Sequence, residues 1–192
     1  MSKLELTIGT VISLAITGAA LAHGGATGVV KERMDGMMAM GNAVKSLSAM
    51  MRGEEDYDAA AVKMHGQTIE THAGDALVGL FPKGSDGAPS EAKRTIWTDS
   101  ANFETLASQL ETYAIALQVA ADNGPMMEDS TQRNMVGGSG MMSSSDMMNG
   151  SGMMGDQTMM SPDALAKMPV DGVFNMLVQT CASCHTKYRS EK

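Results

Sequence analysis

The chain has 192 residues, 43% of them hydrophobic but only 4% aromatic, and 22 Asp and Glu stand against 14 Lys and Arg for a formal net charge of −8. That length suits one domain, and the surplus of acid argues against a nucleic-acid-binding face, which needs clustered cations to neutralise phosphate. Met and Gly each number 21, so aromatic rings cannot supply much core volume and another filler is called for.

At the start, Lys3 precedes an apolar run from Leu6 to Leu21 that ends in the small-x-small sequence Ala20-Leu21-Ala22. The pattern reads as an export signal over 1–22, cleaved after Ala22, which directs the mature domain (23–192) to a bacterial periplasm. The run is shorter than the ~20 residues a membrane span needs, and no later stretch resembles one, so no anchor is expected after cleavage. Cleavage would leave His23 with a free α-amine beside its imidazole, a bidentate pair for copper(II) without an identifiable third ligand.

From Val29 to about Met51 the apolar residues Met37, Met40, Val44, Leu47 and Met51 recur in steps of three and four, the seam of a bundled helix, and Gly53 ends it. A single second helix is predicted after Asp58, carrying Val62, Ile69, Ala73, Ala76 or Leu77, and Leu80, before Phe81-Pro82 and a Gly/Ser/Pro-rich turn through Pro89. Its His65 and His72 are seven apart, a rise of ~10.5 Å, too far for easy chelation of one ion. Asp99 or Ser100 caps a third helix carrying Phe103, Leu106, Leu110, Tyr113, Leu117 and Ala120, which Asn123-Gly124-Pro125 stops.

Residues 125–161 differ from the rest. From Met135 they read "MVGGSG MMSSSD MMNGSG MMGDQT MM", a six-residue repeat filled with Gly and Ser, which raises the cost of a helix and leaves no face to pack. A disordered, exposed loop between helices three and four is expected. Paired thioethers suit copper(I), which makes Met141, Met142, Met147, Met148, Met153, Met154, Met159 and Met160 candidate ligands; the competing reading is repeat expansion in a tolerated loop. The fourth helix follows Pro169, with Val170, Phe174, Leu177, Cys181, Cys184 and Tyr188 in register. No stretch alternates with period two, so the fold class is all-α, an antiparallel four-helix bundle.

The last helix holds the only two cysteines, in Cys181-Ala182-Ser183-Cys184-His185. This is C-x-x-C-H, the attachment pattern of covalent haem: two thiols three apart reach one side of a helix, and the next residue offers a ring nitrogen to iron. A redox pair would want a βαβ setting, zinc would need two further ligands, and a plain disulfide leaves His185 unexplained. Trp97, Phe103, Phe174 and Tyr188 read as packing rather than redox relays.

That motif, followed by "TKYR", together with "RMDGM" in the first helix, "LFPKGS" after the second and "IWTDSANF" leading into the third, resembles the class II cytochromes c, which include cytochrome c prime and its low-spin relatives. The resemblance spans nearly the whole mature chain apart from the Met-rich insert. It implies one covalent haem c held within the bundle, His185 as proximal ligand, frequent homodimers and periplasmic redox partners. It also matches Arg33 to an arginine near a haem propionate, and Met37 to the residue over the distal iron face. With Met37 ligating, the iron is low-spin and the expected function is outer-sphere electron transfer, not enzymatic catalysis. With Met37 merely packed, or a neighbouring Met in its place, the alternatives include a five-coordinate site for nitric oxide or carbon monoxide. A copper-binding role for the Met-rich loop is the third reading.

Overall fold

A computed structural model of the chain describes residues 25–126 and 160–190. Among these, four long helices form an antiparallel bundle: α1 (Gly28–Met51), α2 (Ala59–Thr71), α5 (Ser100–Ala120) and α7 (Val170–Tyr188), with short helices α3 (Gly74–Gly79), α4 (Thr95–Thr98) and α6 (Pro162–Leu165) in the connections. No strand occurs among the described residues, only a single bridge between Ala92 and Arg189.

The helix ends follow from local chemistry. Helix α1 closes with Gly53 at φ +67, while Gly53 N–H donates to Met50 O (3.1 Å) and Glu54 N–H to Ala49 O (2.9 Å), which satisfies carbonyls that the last turn would otherwise orphan. Asp58 caps α2, its carboxylate accepting from Ala60 N–H (2.8 Å) and Ala61 N–H (3.2 Å). Asp99 occupies the N-cap position of α5 as expected, but its side chain makes no capping bond and is engaged elsewhere.

The expected second helix is corrected. It breaks at His72 and Ala73, and α3 restarts at Gly74 in the left-handed region (φ +54). The apolar rhythm of Ile69, Ala73 and Leu77 continues across the break because a kinked chain can still turn all three inward, so periodicity alone did not reveal it. The short helices α4 and α6 also lie in segments read as connections.

The core is built largely from Leu, Val, Ala and Met. Leu47, Val62, Leu117, Leu165, Val170, Val173 and Leu177 are fully enclosed, with Met40 and Met50 beside them, so methionine takes part of the volume that aromatics leave. A smaller cluster of Leu77, Ile96, Phe103, Ala107 and Tyr188 lies at the end of α7 that carries the cysteines. Helix α5 packs along both α2 and α7, and α1 lies against α2; α1 and α7 touch over a much shorter stretch. The site lies between these two loosely joined helices.

Candidate functional site

A cavity of ≈ 470 Å³ lies between α1 and α7. Met34, Met37 and Met38 line it from α1, and Cys184, His185 and Tyr188 line it from α7. Phe81, Pro89, Ala92 and Ile96, from the chain between α3 and α5, and Phe103 of α5 add apolar wall, with Glu91 beside them. The helical rhythm explains the two sets: Met34, Met37, Met38 and Gly41 share one face of α1, while Cys184 and Tyr188 are one turn apart on α7.

Cys181 and Cys184 form no disulfide, and each is half-buried, with Cys181 packed on the main core and Cys184 on the smaller cluster. Burial pushes both thiols up, Cys184 to about 11 with help from its neighbour Cys181, so neither is poised as a thiolate for disulfide exchange. His185 is exposed on its outer side, yet burial of the ring, followed by the charge of Arg189, moves its pKa down. Both causes favour the neutral imidazole, the form that donates a lone pair to a metal.

The position of His185 is fixed by a tertiary cap. The last four carbonyls of α7 all find donors: His185 O accepts from Arg189 N–H (3.0 Å), Thr186 O from Lys93 Nζ (3.1 Å), Lys187 O from Thr95 Oγ1 (3.1 Å) and Tyr188 O from Lys93 N–H (2.8 Å). Three of these donors come from residues 93–95, so that segment holds the end of the helix that carries His185.

Arg33 is 5% exposed, and its guanidinium is occupied by the loop after α3. One terminal nitrogen donates to Leu80 O (3.3 Å) and Ser85 Oγ (2.9 Å), the other to Ser85 O and to Ser90 Oγ (2.5 Å), and the group lies 4.7 Å over the Phe81 ring. Arg33 also lines the cavity, and among the described residues its Nε–H makes no such bond. Phe81 meets Phe103 edge-on at 5.0 Å, and Phe103 meets Tyr188 at 5.3 Å. Tyr188 is buried and donates to the Asp99 carboxylate (2.8 Å). Trp97, half-buried, donates to Phe81 O (2.8 Å).

Five sequence candidates, Arg33, Met37, Cys181, Cys184 and His185, therefore lie on or beside one cavity, with Cys181 one turn back from its wall. Sequence reasoning missed the wall residues Pro89, Ala92 and Ile96 and the capping role of Lys93 and Thr95. Pro89 was seen only as the end of a turn-rich stretch and Ile96 only as the first residue of "IWTDSANF"; Ala92, Lys93 and Thr95 carried no signal. His65 and His72 are half-buried, His72 lying against Gly36 of α1, and no group of three or more His, Cys, Asp or Glu among the described residues is placed to hold a metal. His23, the expected export signal over 1–22 and the copper candidates Met141, Met142, Met147, Met148, Met153, Met154 and Met159 lie outside the described residues; Met160 is exposed.

The cytochrome c prime family model matches residues 28–139, which end before the C-x-x-C-H motif, so the match and the motif are independent observations. A cytochrome c prime of Rhodopseudomonas palustris is 30% identical over 138 residues, covering 70% of this chain and 88% of its own length. A cytochrome c-556 of Agrobacterium fabrum is 38% identical over 92 residues, 48% of this chain and 62% of its own. The solved cytochrome c prime of Rhodopseudomonas palustris superposes with a TM-score of 0.58 at 23% identity, covering 87% of this chain and 99% of its own, and this likeness supports the bundle. The chain belongs to the class II cytochromes c, a family of c-type haem proteins that transfer electrons or bind gases.

Proposed function

We propose that this protein is an exported electron carrier with one haem c, joined through thioethers at Cys181 and Cys184 and ligated at iron by His185 and Met37. The observation that carries the reading is that the Met37 thioether from α1 and the His185 imidazole from α7 line one cavity. That cavity fits a flat, largely apolar group: ≈ 470 Å³ falls within the ~300–1,000 Å³ of ordinary ligand sites, and its walls are mainly Met, Phe, Pro, Ala and Ile. The haem supplies reversible one-electron chemistry at its iron.

The chain's own residues keep that chemistry fast by holding still. His185 stands on a helix end whose last four carbonyls are satisfied, and burial favours its neutral, ligating form. Met37 packs against both hydrophobic clusters, which restricts its rotamers, whereas Met38 is 49% exposed and less constrained. A soft thioether paired with imidazole raises the reduction potential and favours a six-coordinate iron in both oxidation states. Arg33 has its Nε–H available for a propionate while its other donors hold the loop. The export signal over 1–22 and the insert over 125–161 belong to the same reading, as do a homodimer and periplasmic redox partners, by family likeness. Mass spectrometry of the mature protein should give an N-terminus at His23.

A second reading, gas binding at a five-coordinate iron with Met37 only packed, is favoured by the long match to a relative named cytochrome c prime. An optical spectrum of the protein matured in an exporting host separates the two. A low-spin spectrum with a sulfur-to-iron(III) near-infrared band, lost in Met37→Ala, is the expected result. A high-spin spectrum that shifts strongly under carbon monoxide in the unaltered protein would overturn Met37 ligation in favour of gas binding.

A further inference from the structure

Five cations lie on two segments that both line the cavity: Lys83, Lys93 and Arg94 on residues 81–95, which give Phe81, Pro89, Glu91 and Ala92 to its wall, and Lys187 and Arg189 at the end of α7, which gives His185, Tyr188 and Arg189. The bridge between Ala92 and Arg189 and the bond from Lys93 Nζ to Thr186 O join the two segments into one surface. Arg189 and His185 line the cavity themselves, and Lys187 lies between them in sequence.

Among the described residues of these two segments (81–95 and 185–190) the carboxylates are Asp86 and Glu91, each paired with an exposed arginine, and the neighbouring Asp99 carboxylate faces Lys187. In Arg94–Asp86 (2.9 Å) the side chains are 89% and 24% exposed; in Arg189–Glu91 (2.8 Å) they are 57% and 26% exposed. Each pair turns its positive member to solvent, so pairing does not cancel the outward field. The opposite holds in Lys63–Asp122, on α2 and the turn after α5, where the carboxylate is the more exposed at 69% against 45%. A chain of net charge −8 thus carries a basic rim at the mouth of its cavity, while its nine other basic residues stand against twenty acidic ones. Helix C-terminal charge explains Lys187 and Arg189 but not Lys83, Lys93 and Arg94, which come from a different segment.

We propose that this rim is the docking surface for a redox protein that presents carboxylates, with its electron passing at the cavity mouth. The inference rests on the electron-carrier reading above. It departs from what net charge alone suggests, namely basic partners. Local charge of one sign beside the reactive group steers encounter and orientation even where the whole molecule is of the other sign. The exchange would balance with haem bound: the carrier gives up one electron, the partner is reduced by one, and no bond or proton moves.

The test uses the mature holoprotein. Its amide spectrum is titrated with a poly-glutamate and, separately, a poly-lysine peptide, and its oxidation by anionic hexacyanoferrate(III) is compared with oxidation by a cationic cobalt(III) phenanthroline complex. Poly-glutamate should shift amides within 81–95 and 185–190, an effect that salt abolishes. Oxidation by hexacyanoferrate(III) should slow several-fold between about 0.01 M and 0.1 M salt, as the Debye length falls from about 30 to 10 Å, while the cationic oxidant shows no such slowing. The double variant Lys83→Glu with Lys187→Glu should slow the anionic oxidant about 10-fold; the charge-matched pair Lys45→Glu with Lys167→Glu, placed elsewhere, should change it by less than about 2-fold.

Equal effects from the two double variants would mean that only total charge matters and would overturn the proposal, as would shifts of the rim by poly-lysine. Binding to phosphatidylglycerol vesicles without any poly-glutamate shift would reassign the rim to a membrane surface and overturn it too. Absence of a c-type haem spectrum would instead sink the electron-carrier reading. The peptide titration reads the rim without any electron transfer, so the two failures are distinguishable.

Discussion

Both terminal nitrogens of Arg33 are committed to a loop that begins 47 residues further along the chain, and that commitment decides what the residue does. Burial draws its pKa down, with Asp86 opposing, but a guanidinium stays charged at any physiological pH, so the loop oxygens are what make its burial tolerable. Arg33→Met should therefore cost about 2–3 kcal/mol in urea unfolding, because buried loop acceptors lose a charged donor. Arg33→Lys should recover little of it, since an ammonium lacks the planar fork that reaches Ser85 and Ser90 together. At the other end of the same aromatic row, the Asp99–Tyr188 bond makes stability depend on pH in two windows. Hydrogen bonds from Asn102 and Tyr188 hold Asp99 below its usual 3.8, so its contribution is complete above that value and is lost as pH falls through the lowered pKa. Burial, reinforced by Asp99, raises Tyr188 from 10.0 to about 12, so its contribution is complete below pH 10 and is lost as pH rises towards 12. Urea midpoints measured at pH 3, 7 and 11 should show Asp99→Asn flattening the acid loss and Tyr188→Phe flattening the alkaline loss, both variants being less stable than the parent at pH 7.

At the scale of elements, the break between α2 and α3 is where local pattern and chain geometry part. Gly74 has φ +54, and a Cβ there would meet the Glu111 carboxylate of α5 at 2.3 Å. Glu111 is flexible at its tip and can swing aside, so the backbone term dominates. Gly74→Ala should destabilise by about 1–2 kcal/mol, the usual cost of a left-handed alanine, as read from thermal or urea unfolding. Two other elements depend on distant partners: α7 has its final carbonyls closed by Lys93 and Thr95, and the loop of residues 80–90 is pinned by Arg33 from α1. The start of α2 and the end of α1 were readable because Asp58 and Gly53 act on neighbours two or three residues away. The start of α5 was readable in position only. Asp99 has the right residue type for a cap, but a tyrosine 89 residues away takes its carboxylate.

For the whole molecule, α5 is the common neighbour of α2, α3 and α7, and Leu117 on it is completely enclosed. Leu117→Ala should cost about 2–5 kcal/mol and lower the urea midpoint without changing the slope, as expected if the packed helices unfold together. The four-helix architecture and the C-x-x-C-H group were legible in sequence because steps of three and four, and a motif five residues long, are local properties. Which helices would separate to leave a cavity was not, since an apolar face records that a helix is buried and not against what. The sequence by itself determined the helical class, the apolar seams and the two cysteines with their histidine. That Met37 and His185 share one cavity was expected only through the family resemblance; tertiary structure alone decided that Arg33 holds a loop and that two distant cation-bearing segments meet beside that cavity. Each of these depends on groups far apart in sequence being brought within a few ångströms, and hydrogen bonds and local fields act only over such distances.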